Sequence, residues 1–556
     1  MDKLLLKLWH SVPSGETRKE DLADILELST KQTARYLKKW AEEGWFHYTA
    51  GSGRGKISTL FWLRDAEEVF MERAAEIIEQ EPVEISSKYL LFDWSDGAKQ
   101  NLLERFRSKF GFSQNSGETA KLIIPRRYKL ATMHPLEMAD VHSAHFVATV
   151  FNRLVRVDNT GKVSPELAHS WDLSWTHLRL YLKKGVKFHD GSILTAEDVA
   201  ECLNRMRTYP NFSELWKPVS SISVSAPLIV DLHFPGGCSY CLHMLGMMNS
   251  SIFKESKGNL YGSGSFYVDD SHELKTVLRA FEDYYGERPL LDEIEFVQVP
   301  KDIGITYRSS ETSETEKTLL VESDSGVGVV FMNSFRDSPI RRKEVRDFIH
   351  YTIVKHRTAI NEVDPRILPN GEGLLIGYGQ KFVPQRVPLP HFERPVILKT
   401  TGYLEDTANW LKAVLEQEGI PVELVLMPFE DYMHDNGQEQ QADLYIHGEV
   451  FEMNQDFSFF YFLVNGLSPL RPIIPTQRKL GQLLGQYRTA PFKDWHSLNL
   501  QFEQTLVENS IMVPLYYAKR QIPFSTELTN VNISHFGYVD FSKLWVRPKQ
   551  NYNNIM

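Results

Sequence analysis

Residues 29–44 read Ser29-Thr30-Lys31-Gln32-Thr33-Ala34-Arg35-Tyr36-Leu37-Lys38-Lys39-Trp40-Ala41-Glu42-Glu43-Gly44. Ser29 and Gln32 have the spacing of a capping box, in which hydroxyl and carboxamide each satisfy a backbone N–H at a helix start. Gly44 stands where such a helix ends. The pattern predicts a helix to about Glu43. At about 100° per residue, Lys31, Arg35, Lys38 and Lys39 gather on one face, and Thr33, Leu37, Trp40 and Ala41 on the opposite one. One face can bury itself on neighbours while the other presents long cationic donors, as a helix entering a DNA major groove must. Lys31, Gln32 and Arg35 are placed for base edges. Lys38 and Lys39 are placed for phosphates, which orient without specifying.

Working outward, residues 3–10 carry Leu5, Leu8 and Trp9 at helical spacing, and Pro13-Ser14-Gly15 reads as a turn. Residues 18–27 form a second helix that buries Leu22, Ile25 and Leu26. Beyond Gly44 the period changes. Trp45 to Tyr48 and Ile57 to Trp62 are aromatic and β-branched, hence strands. Between them Gly51-Ser52-Gly53-Arg54-Gly55-Lys56 is a glycine-rich turn that lacks the Walker pattern and a following helix. Three helices and a hairpin make a winged helix-turn-helix over residues 1–64, with Arg54 and Lys56 expected at the wing tip, near the DNA backbone or minor groove. A charge run alone is usually solvated surface. Here the cap, the segregated faces and the wing occur together.

The chain has 556 residues, enough for about three or four compact units. Hydrophobic residues make up 42% and charged residues 24%, an ordinary globular balance. Net charge is −10, but residues 1–64 hold 11 Lys/Arg against 8 Asp/Glu, a surplus of +3. The remaining residues hold 51 basic and 64 acidic side chains, −13 net, so only the basic head is expected to meet phosphate. Cys202, Cys238 and Cys241 are too few for a disulfide scaffold. Lys7 interrupts the first apolar run, no small-residue cleavage site follows, and no stretch reaches the length of a membrane span. The expectation is a cytoplasmic protein.

Residues 65–80 and 95–110 read as two further amphipathic helices: an extension of the head, a spacer or a dimer contact. Gly111 to Thr119 is the linker candidate, so residues 65–120 are expected to be helical extension and linker. From residue 121 short β-like runs alternate with helices. Ala168-His169-Ser170-Trp171-Asp172 is followed by Leu178 to Leu182, Lys183-Lys184-Gly185-Val186-Lys187-Phe188-His189-Asp190-Gly191 and Thr195-Ala196-Glu197-Asp198-Val199. This has a physical sense: a turn at Asp190-Gly191, then Thr195 capping a helix with acids in its first turn.

The segment resembles the signature of the family 5 periplasmic solute-binding proteins, the oligopeptide and dipeptide binders. Pro165 to Ala168, Tyr261 to Phe266, Phe281 to Gly286, Pro289 to Ile294, Val345 to Arg357 and Val513 to Tyr517 match further family segments in order. Ser265 stands where the family has proline. The resemblance implies an α/β multidomain chain: a winged helix-turn-helix, then a two-lobed periplasmic-binding-protein-like (class II, family 5) module over residues 121–548. Its first lobe would be 121–275 plus 490–548, and its second 276–489, hinged to close on a ligand. A solute-binding module behind a DNA-binding head resembles the SgrR-type transcriptional regulators, and Gly53-Arg54-Gly55-Lys56 is similar to their wing. That implies double-stranded DNA and a small-molecule effector (a sugar phosphate, an oligopeptide or similar) as partners, with no cofactor. The family's acidic ligand contact falls on Glu452, where aspartate is replaced by glutamate and the flanking tryptophan is absent.

Other constellations carry less. Cys238-Ser-Tyr-Cys241 with His243 nearby lacks the second pair that would close a metal site. His142 and His145 on a helix are not a zinc motif, and no nucleophile elbow occurs, so no enzyme is expected. A second reading is the solute-binding component of an importer, with the head as a docking module. It calls for an export signal.

Overall fold

The computed structural model describes residues 1–51, 57–107, 110–113, 119–126, 130–138, 140–272, 274–299, 318–364, 367–375, 377, 382, 384–429, 431, 441–452, 454–525, 528–533 and 539–546. The head begins with α1 (Lys3–Ser11), β1 (Gly15–Thr17), α2 (Lys19–Leu26) and α3 (Thr30–Glu42), followed by β2 (Phe46–Thr49) and β3 (Ser58–Trp62). Asp2 caps α1 by accepting from the Leu4 N–H, and the Ser29–Gln32 box caps α3. Glu27 takes the left-handed conformation (φ 55°) and closes α2, so the chain re-enters α3 within a few residues. The sheet order is β1-β3-β2, all antiparallel, with Gly15 opposite Leu60 and Phe46 opposite Trp62. This is the winged-helix order. Pro13 to Gly15 reads as a turn in the sequence, but Gly15–Thr17 is a short edge strand on the wing. Three residues are too few to show an alternating pattern.

One apolar cluster holds the head together: Leu5, Leu6, Leu8, Leu22, Leu26, Leu37, Trp40, Phe46 and Leu60. It does not stop at residue 64. α4 (Ala66–Gln80) and α6 (Asp96–Arg107), with the short α5 (Val83–Ser86) between them, add Phe70, Ala74, Ile78, Leu102 and Phe106 to it. These helices share the apolar core of the head. The linker candidate is partly structured too. Gly111–Ser113 is β4, antiparallel to β5 (Lys121–Arg126), while residues 114–118 lie outside the described residues.

β4 and β5 form one edge of a five-stranded sheet that continues through Glu293–Gln298, Lys275–Ala280 and Phe266–His272. A four-stranded antiparallel sheet (Ser221–Ala226, Ile229–His233, His177–Leu182, Ala168–Leu173) completes the first lobe's framework. Its inward residues Leu178, Leu180 and Leu182 alternate with half-buried ones. The turn at Asp190-Gly191 (Gly191 φ +83°) and the Thr195–Asp198 capping box of the helix Ala196–Thr208 form as the signature predicts. The second lobe is a six-stranded sheet in the order Ile367–Pro369, Met512–Ser525, Thr318–Met332, Leu444–Glu449, Val396–Thr401, Val422–Met427.

The sheets divide the chain differently from the expected lobe boundaries. Glu293–Gln298, expected in the second lobe, pairs in parallel with β5 in the first. Met512–Ser525, expected in the first, runs along Thr318–Met332 in the second. The helices Gln455–Val464 and Arg478–Gln486, also expected in the second, bury Phe457, Phe460, Leu480 and Leu483 in one cluster that draws on both lobes, with Trp216 and Tyr240 from the first and Phe331 from the second. A short apolar strand looks the same whichever sheet receives it, so pairing partners cannot be read from these residues.

Candidate nucleic-acid interface and solute-binding lobes

Trp40 and Leu37 are fully buried and fix the inner face of α3. The Trp40 indole N–H donates to Asp2 Oδ2 at 3.0 Å, tying α3 to the start of α1. With that face fixed, Lys31, Gln32, Arg35, Lys38 and Lys39 all lie exposed.

They are not equivalent. Among the described residues, Lys31 and Arg35 enter no ion pair, and the Arg35 guanidinium lies 5.5 Å from the Tyr36 ring centroid. Lys38 is 78% exposed and only 3.8 Å from Glu42, a weak i,i+4 pair on open surface. Lys39 reaches Asp2 (3.7 Å) and Glu43 (3.8 Å), so it leans toward α1 and the helix end. Gln32 Oε1 accepts from the Ser29 backbone N–H (3.2 Å) and hydroxyl (2.8 Å). Half of its carboxamide is therefore engaged in the cap. Lys31, Arg35 and Lys38 form the open cationic row. Arg54 and Lys56 lie outside the described residues.

One residue that sequence reasoning missed adjoins this row. Lys19, in the first turn of α2, lines with Lys38, Ala34, Ala41 and Tyr48 a hollow of about 480 Å³ between α3 and β2. Its only signal in the sequence is its place at the start of the preceding helix.

In the second lobe, Glu452 follows the strand Leu444–Glu449 and is half-buried, its N–H donating to Ser458 Oγ (3.1 Å). Burial, with the charges of Glu452 and Glu449 nearby, holds the Tyr461 hydroxyl well above the usual phenol range. Tyr461 also donates to Asn249 Oδ1 at 3.4 Å. Glu449 is a second carboxylate, paired with His447 at 3.0 Å, that sequence reasoning did not single out.

The thiols are structural. Cys202, Cys238 and Cys241 are free and buried, and burial pushes Cys202 and Cys241 up to about 12 and Cys238 upward as well. Protonated thiols neither attack nor ligate. His145 is buried, its Nε2 3.0 Å from the Val539 carbonyl oxygen. Among the described residues, no helix is long and apolar enough to cross a membrane.

Comparison with known proteins follows the same division. Residues 4–113 match the family described as "Sugar transport-related sRNA regulator N-term", and residues 162–314 match "Bacterial extracellular solute-binding proteins, family 5 Middle". The chain is 24% identical over 574 residues to the HTH-type transcriptional regulator SgrR of Photorhabdus laumondii, and 23% over 586 residues to that of Yersinia enterocolitica. Each alignment covers 99% of both chains. Among solved structures, the periplasmic binding protein DppA of Helicobacter pylori, in complex with the peptide STSA, superposes with a TM-score of 0.62 at 16% identity, over 77% of this chain and 98% of its own. NikA of Brucella suis, in complex with Fe(III)-EDTA, gives 0.60 at 15% identity, over 77% and 100%. These neighbours establish the two-lobed fold of the body. The chain thus matches an SgrR-type N-terminal family at its head and a family 5 solute-binding family in its body, and it is similar over its full length to regulators named SgrR.

Proposed function

We propose that this chain is a cytoplasmic transcriptional regulator that binds double-stranded DNA through α3 and senses a small molecule between its lobes. The carrying observation is the open row of Lys31, Arg35 and Lys38 opposite the buried Thr33, Leu37 and Trp40. Long donors on a rigidly backed helix can enter a major groove and reach base edges. Gln32 retains its amide N–H donors for a base. Lys38 serves phosphate, and Lys39 does so only by leaving Asp2. Arg54 and Lys56 contact the backbone from the wing, and Lys19 adds a phosphate contact beside Lys38. Full-length similarity to regulators named SgrR supports this reading. The body supplies ligand binding rather than catalysis, with Glu452 and Glu449 facing the effector.

Gel shifts on genomic fragments retained by the purified protein test the assignment. Arg35→Ala should weaken specific binding by about 1–3 kcal/mol, roughly five- to 150-fold, with relaxed sequence preference. Arg54→Ala should lower affinity for all sequences evenly. Specific binding by Arg35→Ala equal to the parent's would refute the placement of α3 in the groove.

A further inference from the structure

We propose that the strand Glu293–Gln298 is the element through which the two lobes act on the head; this rests on the DNA-binding reading above. The strand is buried on both faces, and the faces belong to different cores. Ile294 and Phe296 lie in the large cluster of the lobes. Val297, with Val299 just beyond the strand, lies in the head's cluster with Leu90, Phe106 and Phe110, and Ile123 of β5 packs against the same cluster. The head is seated on the outer face of the first-lobe sheet, not hung from a tether.

The inner face meets the first-lobe helix Val141–Val150 and one connection between the lobes. The Phe296 ring lies 5.3 Å from Phe146, 6.3 Å from His145 and 5.9 Å from Phe541. Phe541 belongs to the C-terminal segment that returns from the second-lobe strand Met512–Ser525. In the sequence the strand is also followed by Thr318–Met332 of the second lobe, and residues 300–317 between them lie outside the described residues. One connection thus packs on the strand, and the second-lobe strand Thr318–Met332 follows it in the chain. The Val299 N–H donates to the Arg126 carbonyl (2.9 Å) at the end of β5, whose outer edge carries β4 from the head.

The sheet here is built to transmit displacement rather than absorb it. On the outer face Glu295 is buried between Lys121 (2.6 Å) and Lys275 (2.8 Å), and Lys121 also reaches Glu293 (3.2 Å). These pairs lock three adjacent strands beneath the head. A change in lobe angle moves the connection, shifts the strand through Phe296, and reorients the head through Val297 and Val299.

Coupling between sites is reciprocal, so DNA can serve as the probe without knowledge of the effector. Deuterium exchange is followed in the full chain with and without a retained genomic duplex. DNA at the head should change exchange about fivefold in Thr318–Met332 and in residues 539–546. Phe296→Leu, and independently Val297→Ala, should abolish that remote response while leaving DNA affinity within about twofold. A response confined to residues 1–113, or a remote response that survives both substitutions, overturns the coupling and leaves the DNA-binding reading standing. Retention of no fragment overturns that reading, and the coupling with it.

Discussion

Glu503 illustrates what one buried residue can impose. It lies on the helix Trp495–Glu508, 2% exposed, and its Oε1 accepts from the Leu374 and Leu375 N–H groups. Gly373 (φ +149°) passes so close that any side chain there would strike the Glu503 carboxyl. Burial raises this acid to about 7 from an ordinary 4.5, with Glu372 adding to the rise and the two N–H donors opposing it. The folded chain therefore binds the proton more tightly than the unfolded one. The stabilisation is fully present below pH 4.5 and is lost as pH rises through 7. Glu503→Gln keeps an acceptor for both amides and removes the charge. Urea unfolding at several pH values should show the variant stabilised relative to the parent by about 2–3 kcal/mol at pH 8 and near parity at pH 4.5. A constant difference across that range would contradict the assignment. Contacts of this kind are not legible in a sequence. Glu503 and Leu374 are far apart in the chain, and nothing in the pattern of either segment marks them as partners. The same holds for Lys39: its exposure follows from helical period, whereas its pairing with Asp2 exists only in the fold.

At the scale of elements, α3 was legible because three signals agree on it: a capping box, a segregated apolar face and a terminating Gly44. The strands of the wing were legible from their aromatic and β-branched runs. β1 was not, being three residues long. Nor were the lobe boundaries, since strand order is a property of pairing rather than of any one strand. The tie between α1 and α3 depends on Asp2, whose Oδ1 caps α1 at Leu4 while Oδ2 accepts from the Trp40 indole. Asp2→Ala removes the cap and leaves a buried indole N–H unsatisfied. It should cost the head about 2–4 kcal/mol, read as earlier loss of Trp40 fluorescence change in urea unfolding. Asp2→Asn, which keeps an acceptor, should recover most of the loss. An Asp2→Ala variant as stable as the parent would show that the tie contributes nothing to positioning α3.

At the scale of the molecule, a small basic head sits on a large acidic body, and one apolar cluster crosses from the winged helix through α4 and α6 to the first-lobe sheet. The fold of the body was legible from its signature residues, whereas the proposed ligand contacts were not, because Glu452 departs from the family's pattern and Glu449 carries no motif. The acidic body repels DNA, so affinity must come from few contacts, and its salt dependence should report their number. The most direct measurement is the affinity of the full chain for a retained genomic duplex across rising salt, for the parent and for the combined Lys31→Ala, Arg35→Ala, Lys38→Ala variant. Each phosphate contact contributes about 0.9 to the slope of log affinity against log salt. The account predicts that the variant loses specific binding and that its slope falls by roughly 1, the share of the Lys38 phosphate contact. An unchanged slope with unchanged affinity would show that α3 does not touch the DNA.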